Sequence, residues 1–433
     1  MKVHFTALGC AKNLIDSEQM LALITDAGHT LVSDPAEADA AVVNTCAFIE
    51  SAQEEAISTI LELAQYKTEG NLKRLVVTGC LAQRYQDEIL AELPEIDAVL
   101  GTASFSDIVA ALESPEAGLH RFADKNDPLP ELDRLVSTGP GWAYIKIADG
   151  CDRRCAYCVI PSIRGRYRSR PIENILDEAE SLARSGVKEL ILVAQDVSRY
   201  GRDFRDGTTL CTLLRELVKV DGIEWIRLHY LYPDEITDEL IDLIAREKKI
   251  VRYLDIPIQH VNDAILKAMR RRETKASITE LFDKLRARIP GVAIRTSLIV
   301  GLPGEGEEEL SELIDFLREQ KLPRAGVFAY SPEEGTAAAE MPNRCSKEEA
   351  EARRERVMAL QGRIMDEYDA QRVGRVERVL CEGLDGLLWY GRSPADSPEV
   401  DEQVLFSGEA VPGEFFDVRI LSAENGELIG EIV

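Results

Sequence analysis

Three cysteines fall within eight residues, Cys151, Cys155 and Cys158 in the run Gly150-Cys151-Asp152-Arg153-Arg154-Cys155-Ala156-Tyr157-Cys158. An iron-sulfur cubane has four irons and normally takes four thiolates, so a loop that supplies three leaves one iron with open coordination positions. An open iron is a place for a ligand. Two blander readings stand beside this one. A zinc knuckle would need a fourth Cys or His nearby, which the segment lacks, and a disulfide would strand one thiol.

With 433 residues the chain is long enough for two or three domains, each with its own core. No apolar run approaches the roughly 18 residues that a membrane span requires. The start MKVHFTALGCAKN has strand character rather than the core of a signal peptide, so a cytoplasmic protein is expected. That compartment is reducing, and the nine cysteines read as ligands, catalytic groups or buried thiols rather than a disulfide framework. A formal charge of -26 argues against holding nucleic acid mainly through phosphates, although acidity also serves solubility alone.

Residues 1–118 alternate short apolar runs with amphipathic stretches, the pattern of a parallel α/β sheet. Val3 to Gly9, Ala40 to Thr45 and Arg74 to Gly79 read as strands, and each is followed at once by a cysteine: Cys10, Cys46 and Cys80. In a parallel sheet the carboxyl ends of the strands share one edge, so these three thiols are expected to converge there. Packing at strand ends is the alternative use of a small residue. Residues 119–138 read as a linker, within a polar stretch that runs on to Pro140. Residues 139–368 repeat a strand-helix pattern about six times, which predicts a partial, open (βα)6 barrel with its active groups at the carboxyl ends of the strands. The charged helix from Lys347 closes that region, and residues 369–433 switch to short β runs punctuated by Gly, Pro, Asn and Asp, as expected of a small antiparallel barrel.

Within the barrel, Thr296 to Val300 runs into Gly301-Leu302-Pro303-Gly304-Glu305, a turn that permits close backbone approach to a ligand but also serves simply to join strand to helix. Gln195-Asp196 and Gln259-His260 each end a strand and offer polar groups to one cavity, or are satisfied polar residues at the rim. Arg164, Arg166, Arg168 and Arg170 crowd the segment after the cysteine loop; they suit a phosphate, a carboxylate ligand or the chain's own acids. Cys211, Cys345 and Cys381 read as ordinary thiols.

The C-x3-C-x2-C spacing, with Tyr157 before its last cysteine, resembles the cluster motif of radical S-adenosylmethionine (SAM) enzymes, and over nearly its whole length the chain resembles the methylthiotransferases. That resemblance implies an auxiliary 4Fe-4S cluster on Cys10, Cys46 and Cys80, a SAM-binding 4Fe-4S cluster on Cys151, Cys155 and Cys158, and a C-terminal TRAM barrel. It covers Tyr157 and sets Gly301 near the adenine of SAM, and Gln195, Gln259 and Arg295 join them as expected SAM contacts. The segments Ala7-Leu8-Gly9-Cys10-Ala11-Lys12-Asn13-Leu14-Ile15-Asp16-Ser17-Glu18 and Pro161-Ser162-Ile163-Arg164-Gly165 are similar to the branch that modifies an aspartate β-carbon in small-subunit ribosomal protein S-twelve, with Ala11 in place of the proline usual there. An electron donor such as flavodoxin is implied, with one SAM methylating the inserted sulfur and a second generating the radical.

Charge points the same way. Residues 369–433 hold 14 Asp plus Glu against 5 Arg and no Lys, a formal charge of -9, which suits a basic ribosomal protein better than RNA. The acidic run Glu399, Asp401 and Glu402 is the expected contact with that substrate. A tRNA adenosine methylthiotransferase, with the same fold and cofactors, is the alternative. A noncatalytic iron-sulfur redox sensor is the alternative of another class.

Overall fold

Ala40–Thr45 is buried at all six of its positions and Arg74–Gly79 at five of six. Strands hidden on both faces belong inside a parallel sheet covered by helices. The computed structural model describes residues 1–115, 118–424 and 426–433, with every side chain among them except that of Asp87. In it these two runs are central strands of a six-stranded parallel sheet ordered Thr30–Val32, Lys2–Ala7, Ala40–Thr45, Arg74–Gly79, Ala98–Leu100, Leu119–Arg121. The last strand corrects the sequence-based boundary: Leu119–Arg121 pairs with Ala98–Leu100 and extends the sheet three residues into the expected linker. The rest of that linker is pinned to both neighbours, because buried Arg134 binds Glu18 on one side and Glu178 on the other.

The central region forms a second six-stranded parallel sheet in simple sequence order: Trp142–Lys146, Glu189–Val193, Trp225–Leu228, Ile250–Asp255, Ala293–Val300 and Arg324–Ala329. The first and last strands do not pair, so the barrel is open. Its outer face packs on helices through residues such as Ile175, Leu213, Phe282 and Phe316. Its inner face forms a smaller cluster with both neighbours: Tyr144, Ile191 and Tyr253 pack with Ile15 of the N-terminal helix Ala11–Asp26 and with Leu380 of the C-terminal module. The module is a closed five-stranded barrel of Val376–Asp385, Leu388–Arg392, Val404–Ser407, Phe415–Glu424 and Glu427–Ile432. Closure comes from a parallel pairing of Val404–Ser407 with Glu427–Ile432 amid antiparallel neighbours. Among the described residues no helix is long and apolar enough to cross a membrane.

The module docks through buried charge. Asp396 has a fully buried side chain and accepts from Arg324 at 2.8 Å and from Arg372 at 2.7 Å. Arg392 reaches Glu189 of the barrel at 2.7 Å, and the same carboxylate holds Arg227 at 2.7 Å. The acidic run expected to meet the substrate is turned in part toward the barrel. Asp401 accepts from the Tyr253 hydroxyl at 2.6 Å and lies 3.8 Å from Arg295, Glu402 lies 2.7 Å from Arg324, and Glu399 accepts from Tyr144 at 2.7 Å. The negative charges that looked free in sequence answer arginines and tyrosines of the barrel.

Two outcomes follow from this docking. Asp396→Ala strips the shared partner from two buried arginines, and the expected loss is about 3–5 kcal/mol in urea titrations. Burial and the neighbouring Asp369 push the Glu402 carboxyl up to about 8. A carboxyl raised in the folded state contributes stability below its unfolded value of about 4.3, lost as pH rises through 8. The melting temperature should therefore fall between pH 6 and pH 9, and Glu402→Gln should flatten that decline.

Candidate functional site

Gly150 holds φ at +80°, and a Cβ there would lie 2.0 Å from the Arg166 carbonyl oxygen, so only glycine fits before Cys151. The loop then turns back on itself: the Cys151 amide donates to Gly165 at 3.1 Å, and the Cys158 amide donates to Cys155 at 3.1 Å. The Tyr232 hydroxyl sits 3.3 Å from Cys155 Sγ, and its ring lies between the guanidiniums of Arg153 and Arg271, 4.1 and 4.3 Å from its centroid. Burial pushes the Cys151 thiol up to about 11 and the Cys158 thiol up to about 12. All three thiols line one cavity of about 690 Å³.

The N-terminal thiols are placed by the same device. Gly9 has φ +93°, and a Cβ there would be 2.8 Å from the Cys46 Cβ; Gly79 has φ +94°, and its Cβ would be 2.3 Å from Asn44 Oδ1. Glycine thus lets Cys10 and Cys80 leave their strands against a neighbouring strand end. The thiols of Cys10, Cys46 and Cys80 are close enough to repel one another as anions. Burial pushes Cys80 up to about 12, with Arg164 working against it. Cys10 is exposed; crowding by neighbouring atoms presses its thiol the same way, but Lys12 and Arg164 outweigh that and hold it below its ordinary value.

One side chain ties the two thiol sets together. Arg164, 3% exposed, lies at the end of the short helix Ile160–Arg164 that follows the cysteine loop. It donates to Asp149 at 3.0 Å, one residue before Gly150, to Asp16 at 2.7 Å and to Asn13 at 3.1 Å, and its Nη2 lies 3.7 Å from Cys80 Sγ. Lys146 also binds Asp16, and the Gln195 amide donates to Asp149 at 2.7 Å. The donor set fits iron-sulfur clusters. Each site offers three thiols, the soft ligands that an iron-sulfur cluster takes. Lys12 is a buried ammonium with no carboxylate partner among the described residues; it lies 3.8 Å over the Tyr230 ring and beside Cys10. An anionic thiolate cluster is the counterion that such a group lacks.

The residues expected near SAM divide. Tyr157 lies beside Cys155 and Arg271, Gln195 has a buried Oε1 without a partner, and Gln259 is held at φ +69° by backbone bonds to Ser297 and Ile299. Arg295 binds Asp255 at 3.0 Å and lies 3.8 Å from Asp401, so its charge is matched inside the domain contact. Gly301 approaches Ala350 closely, since a Cβ on it would lie 2.5 Å from that side chain, and its amide donates to Glu305 at 2.9 Å. Sequence reasoning missed Lys12, Asp149 and Tyr232. The available signal was a glycine directly before Cys10, Cys80 and Cys151, which marks backbone held for a purpose, with charged residues within two positions of Cys10 and Cys151.

An open six-stranded parallel barrel with a three-cysteine loop after its first strand defines a radical SAM domain, here joined to a second thiol site and a small β-barrel. Family models agree: uncharacterized protein family UPF0004 matches residues 2–101, the radical SAM superfamily 145–317 and the TRAM domain 373–433. The chain is 48% identical to the ribosomal protein uS12 methylthiotransferase RimO of Acetivibrio thermocellus, over 100% of this chain and 98% of that one. It is 46% identical to the protein of the same name from Geobacter sulfurreducens, over 100% and 98%. The chain belongs to the RimO family of methylthiotransferases. A solved radical SAM methyltransferase, TsrM from Kitasatospora setae, is similar in fold, with TM-score 0.57 at 17% identity, covering 78% of this chain and 76% of that one.

The electrostatics of the N-terminal thiols are open to measurement. In chelator-stripped protein at pH 8, Cys10 should react with iodoacetamide at least about tenfold faster than Cys80, because each unit of thiol pKa changes the thiolate fraction up to tenfold. Lys12→Met should slow Cys10 severalfold and leave Cys80 nearly unchanged. Equal labelling of the two in the parent protein would contradict the charge assignment.

Proposed function

We propose that this protein adds a methylthio group to the β-carbon of an aspartate in ribosomal protein uS12, a reading supported by full-length relatives that carry that name. The observation that carries it is the reach of Arg164. One buried guanidinium, rooted beside the barrel's cysteine loop, touches the Cys80 thiol and the carboxylate that precedes Cys151, so two separately held sites share one seam. A sulfur donor and a radical generator have to meet in that arrangement.

Cys151, Cys155 and Cys158 would hold the SAM-binding 4Fe-4S cluster, and Cys10, Cys46 and Cys80 the auxiliary one. When bound, SAM and the clusters supply the methyl group, the sulfur and the hydrogen-atom abstraction. No side-chain base removes a proton from an unactivated β-carbon at neutral pH, which is why such chemistry is needed. The chain's own residues orient and insulate. The Tyr232 hydroxyl lies within hydrogen-bond reach of Cys155, Arg153 and Arg271 flank its ring, Arg164 and Lys12 bring positive charge to the N-terminal thiols, and Tyr157, Gln195 and Gln259 are the groups we assign to SAM. Gln195 has the clearest claim, since its buried Oε1 is unpartnered.

The domains run 1–121, 139–368 and 369–433, with a tethered linker between the first two. The protein works in the cytoplasm and takes electrons one at a time from a carrier such as flavodoxin. Asp401 and Glu402 of the acidic run have partners inside the barrel contact, which leaves the exposed Glu399 as its member open to a substrate.

The test divides the labour. Replacing Cys151, Cys155 and Cys158 by Ala should remove about half the iron and all SAM cleavage. Replacing Cys10, Cys46 and Cys80 should leave reductive cleavage to 5'-deoxyadenosine intact and abolish methylthio transfer to uS12, followed by mass spectrometry. Normal product from the second variant would show the N-terminal thiols to be structural, and methylthioadenosine in tRNA would overturn the substrate.

A further inference from the structure

Lys12 stands where a helix least favours a cation. It is the second residue of the helix Ala11–Asp26, whose first turn carries no acidic side chain, so its ammonium adds to the positive end of the helix dipole instead of offsetting it. It is also buried, at 8% exposed, and no carboxylate among the described residues pairs with it. The other buried cations around the two thiol sets are answered: Lys146 by Asp16, Arg153 by Asp196, Arg164 by Asp149 and Arg271 by Glu273. Lys12 is left over. An uncompensated buried charge is costly, and one retained in the fold points to an anion that arrives from outside.

The surroundings narrow what that anion is. The ammonium lies 3.8 Å over the Tyr230 ring and beside Cys10, the exposed member of the N-terminal thiols. Tyr230 follows the strand Trp225–Leu228 at the carboxyl edge of the barrel and is held at φ +56°, a conformation that a bulky side chain seldom takes. Its amide donates to Asp255 at 3.2 Å and its carbonyl accepts from Val197 at 3.0 Å, which fixes the ring beneath the ammonium. Lys12 therefore sits between the reactive edge of the barrel and the solvent-facing side of the thiol site. A cluster on those thiolates supplies countercharge in bulk, but sulfur is a weak acceptor for the three N–H donors of an ammonium, and oxygen meets them better. The reaction proposed above brings such oxygens. Its target carbon is bonded directly to a side-chain carboxylate, and that carbon has to come within bonding reach of the sulfur held at the N-terminal site.

We propose that Lys12 binds the side-chain carboxylate of the target aspartate, with the Tyr230 ring as the floor of that subsite, and so selects an acidic side chain and turns its β-carbon toward the N-terminal thiols. The inference rests on the aspartate reading above. Lys12 makes and breaks no bond; it supplies charge and orientation. An amide of the same shape would leave the ammonium unanswered, and a site built round a buried polar group rejects the isostere that fails to pair with it.

The experiment is a binding cycle with the holoenzyme, both clusters reconstituted, and two purified probes: uS12, and uS12 with its target aspartate replaced by asparagine. Affinities are measured anaerobically by surface plasmon resonance for the parent, for Lys12→Met, which keeps the length of the side chain without its charge, and for Lys12→Arg, after the iron content of each has been determined. The parent should bind the asparagine probe about tenfold or more weaker than uS12, Lys12→Met should bind the two probes alike, and Lys12→Arg should keep part of the preference. A parent that does not distinguish the probes, or a preference for aspartate that survives in Lys12→Met, overturns the proposal. So does an equal loss of affinity for both probes in Lys12→Met, which would place its contact elsewhere on uS12. Loss of about half the iron from Lys12→Met also overturns it, by making Lys12 a residue of the cluster. The proposed function fails in a different way: a parent protein that binds uS12 but leaves no methylthio group on it under reduction with SAM counts against that reading, while the binding cycle, which needs no turnover, still decides the role of Lys12.

Discussion

A six-stranded parallel barrel that does not close leaves an inner face that neither water nor lipid fills, and in this protein that face carries charge. Arg227, Arg324, Arg372 and Arg392 are among the largest fully buried side chains. An unmatched charge at such depth costs several kcal/mol, so each has to be answered by a carboxylate or a carbonyl. Glu189 answers two of them, Asp396 answers two, and the carbonyls of Ser393 and Pro394 accept from Arg227. The C-terminal module is therefore a component of the barrel interior. Its loop between Arg392 and Val404 supplies the Asp396 carboxylate to Arg324 and two backbone carbonyls to Arg227 of the barrel.

The opposite end of the barrel is closed by the N-terminal domain under the same rule. Asp16 of the helix Ala11–Asp26 meets Lys146 and Arg164, and Glu18 meets Arg134 of the linker. These contacts fix the position of the strand ends that carry Cys10, Cys46 and Cys80 relative to the loop that carries Cys151, Cys155 and Cys158. The same burial that makes the contacts durable raises the pKa values of the Cys80, Cys151 and Cys158 thiols, so these three favour their neutral form until a cationic partner takes the charge. Stability of the domain contact and readiness of the thiols for metal come from one arrangement of charges.

The parts legible in the sequence were those set by local pattern. Apolar runs of strand length ending in cysteine, a loop with three thiols and the switch to short Gly-punctuated strands after residue 369 each depend on neighbours within a few positions. Charged side chains were not legible, because the residue that neutralises them is distant: Arg295 finds Asp401 and Tyr144 finds Glu399, more than a hundred positions away. Gly301 carried the composition of a ligand turn, yet its freedom is used for packing against Ala350 of the helix Lys347–Ala370. Leu119–Arg121 was missed because three residues give no usable period, and the parallel closure of the small barrel was missed because adjacent strands in sequence are read as hairpins.

Net charge was the least reliable guide to partners, and the structure shows why. The C-terminal module's -9 reads as an acidic surface, but Asp369 and Asp396 answer Arg324, Glu382 answers Arg392, and Glu402 beside Arg324 keeps its proton up to about pH 8. Much of that formal charge is cancelled before solvent or a partner meets it. Conversely, the arginines at the mouth of the cysteine cavity vanish in a whole-chain sum of -26 although they dominate the field that an approaching protein would feel within a Debye length of about 8 Å. Recognition depends on the charges left unpaired at the surface. In this molecule those of the module are largely consumed by the fold, and those beside the cysteine loop are not.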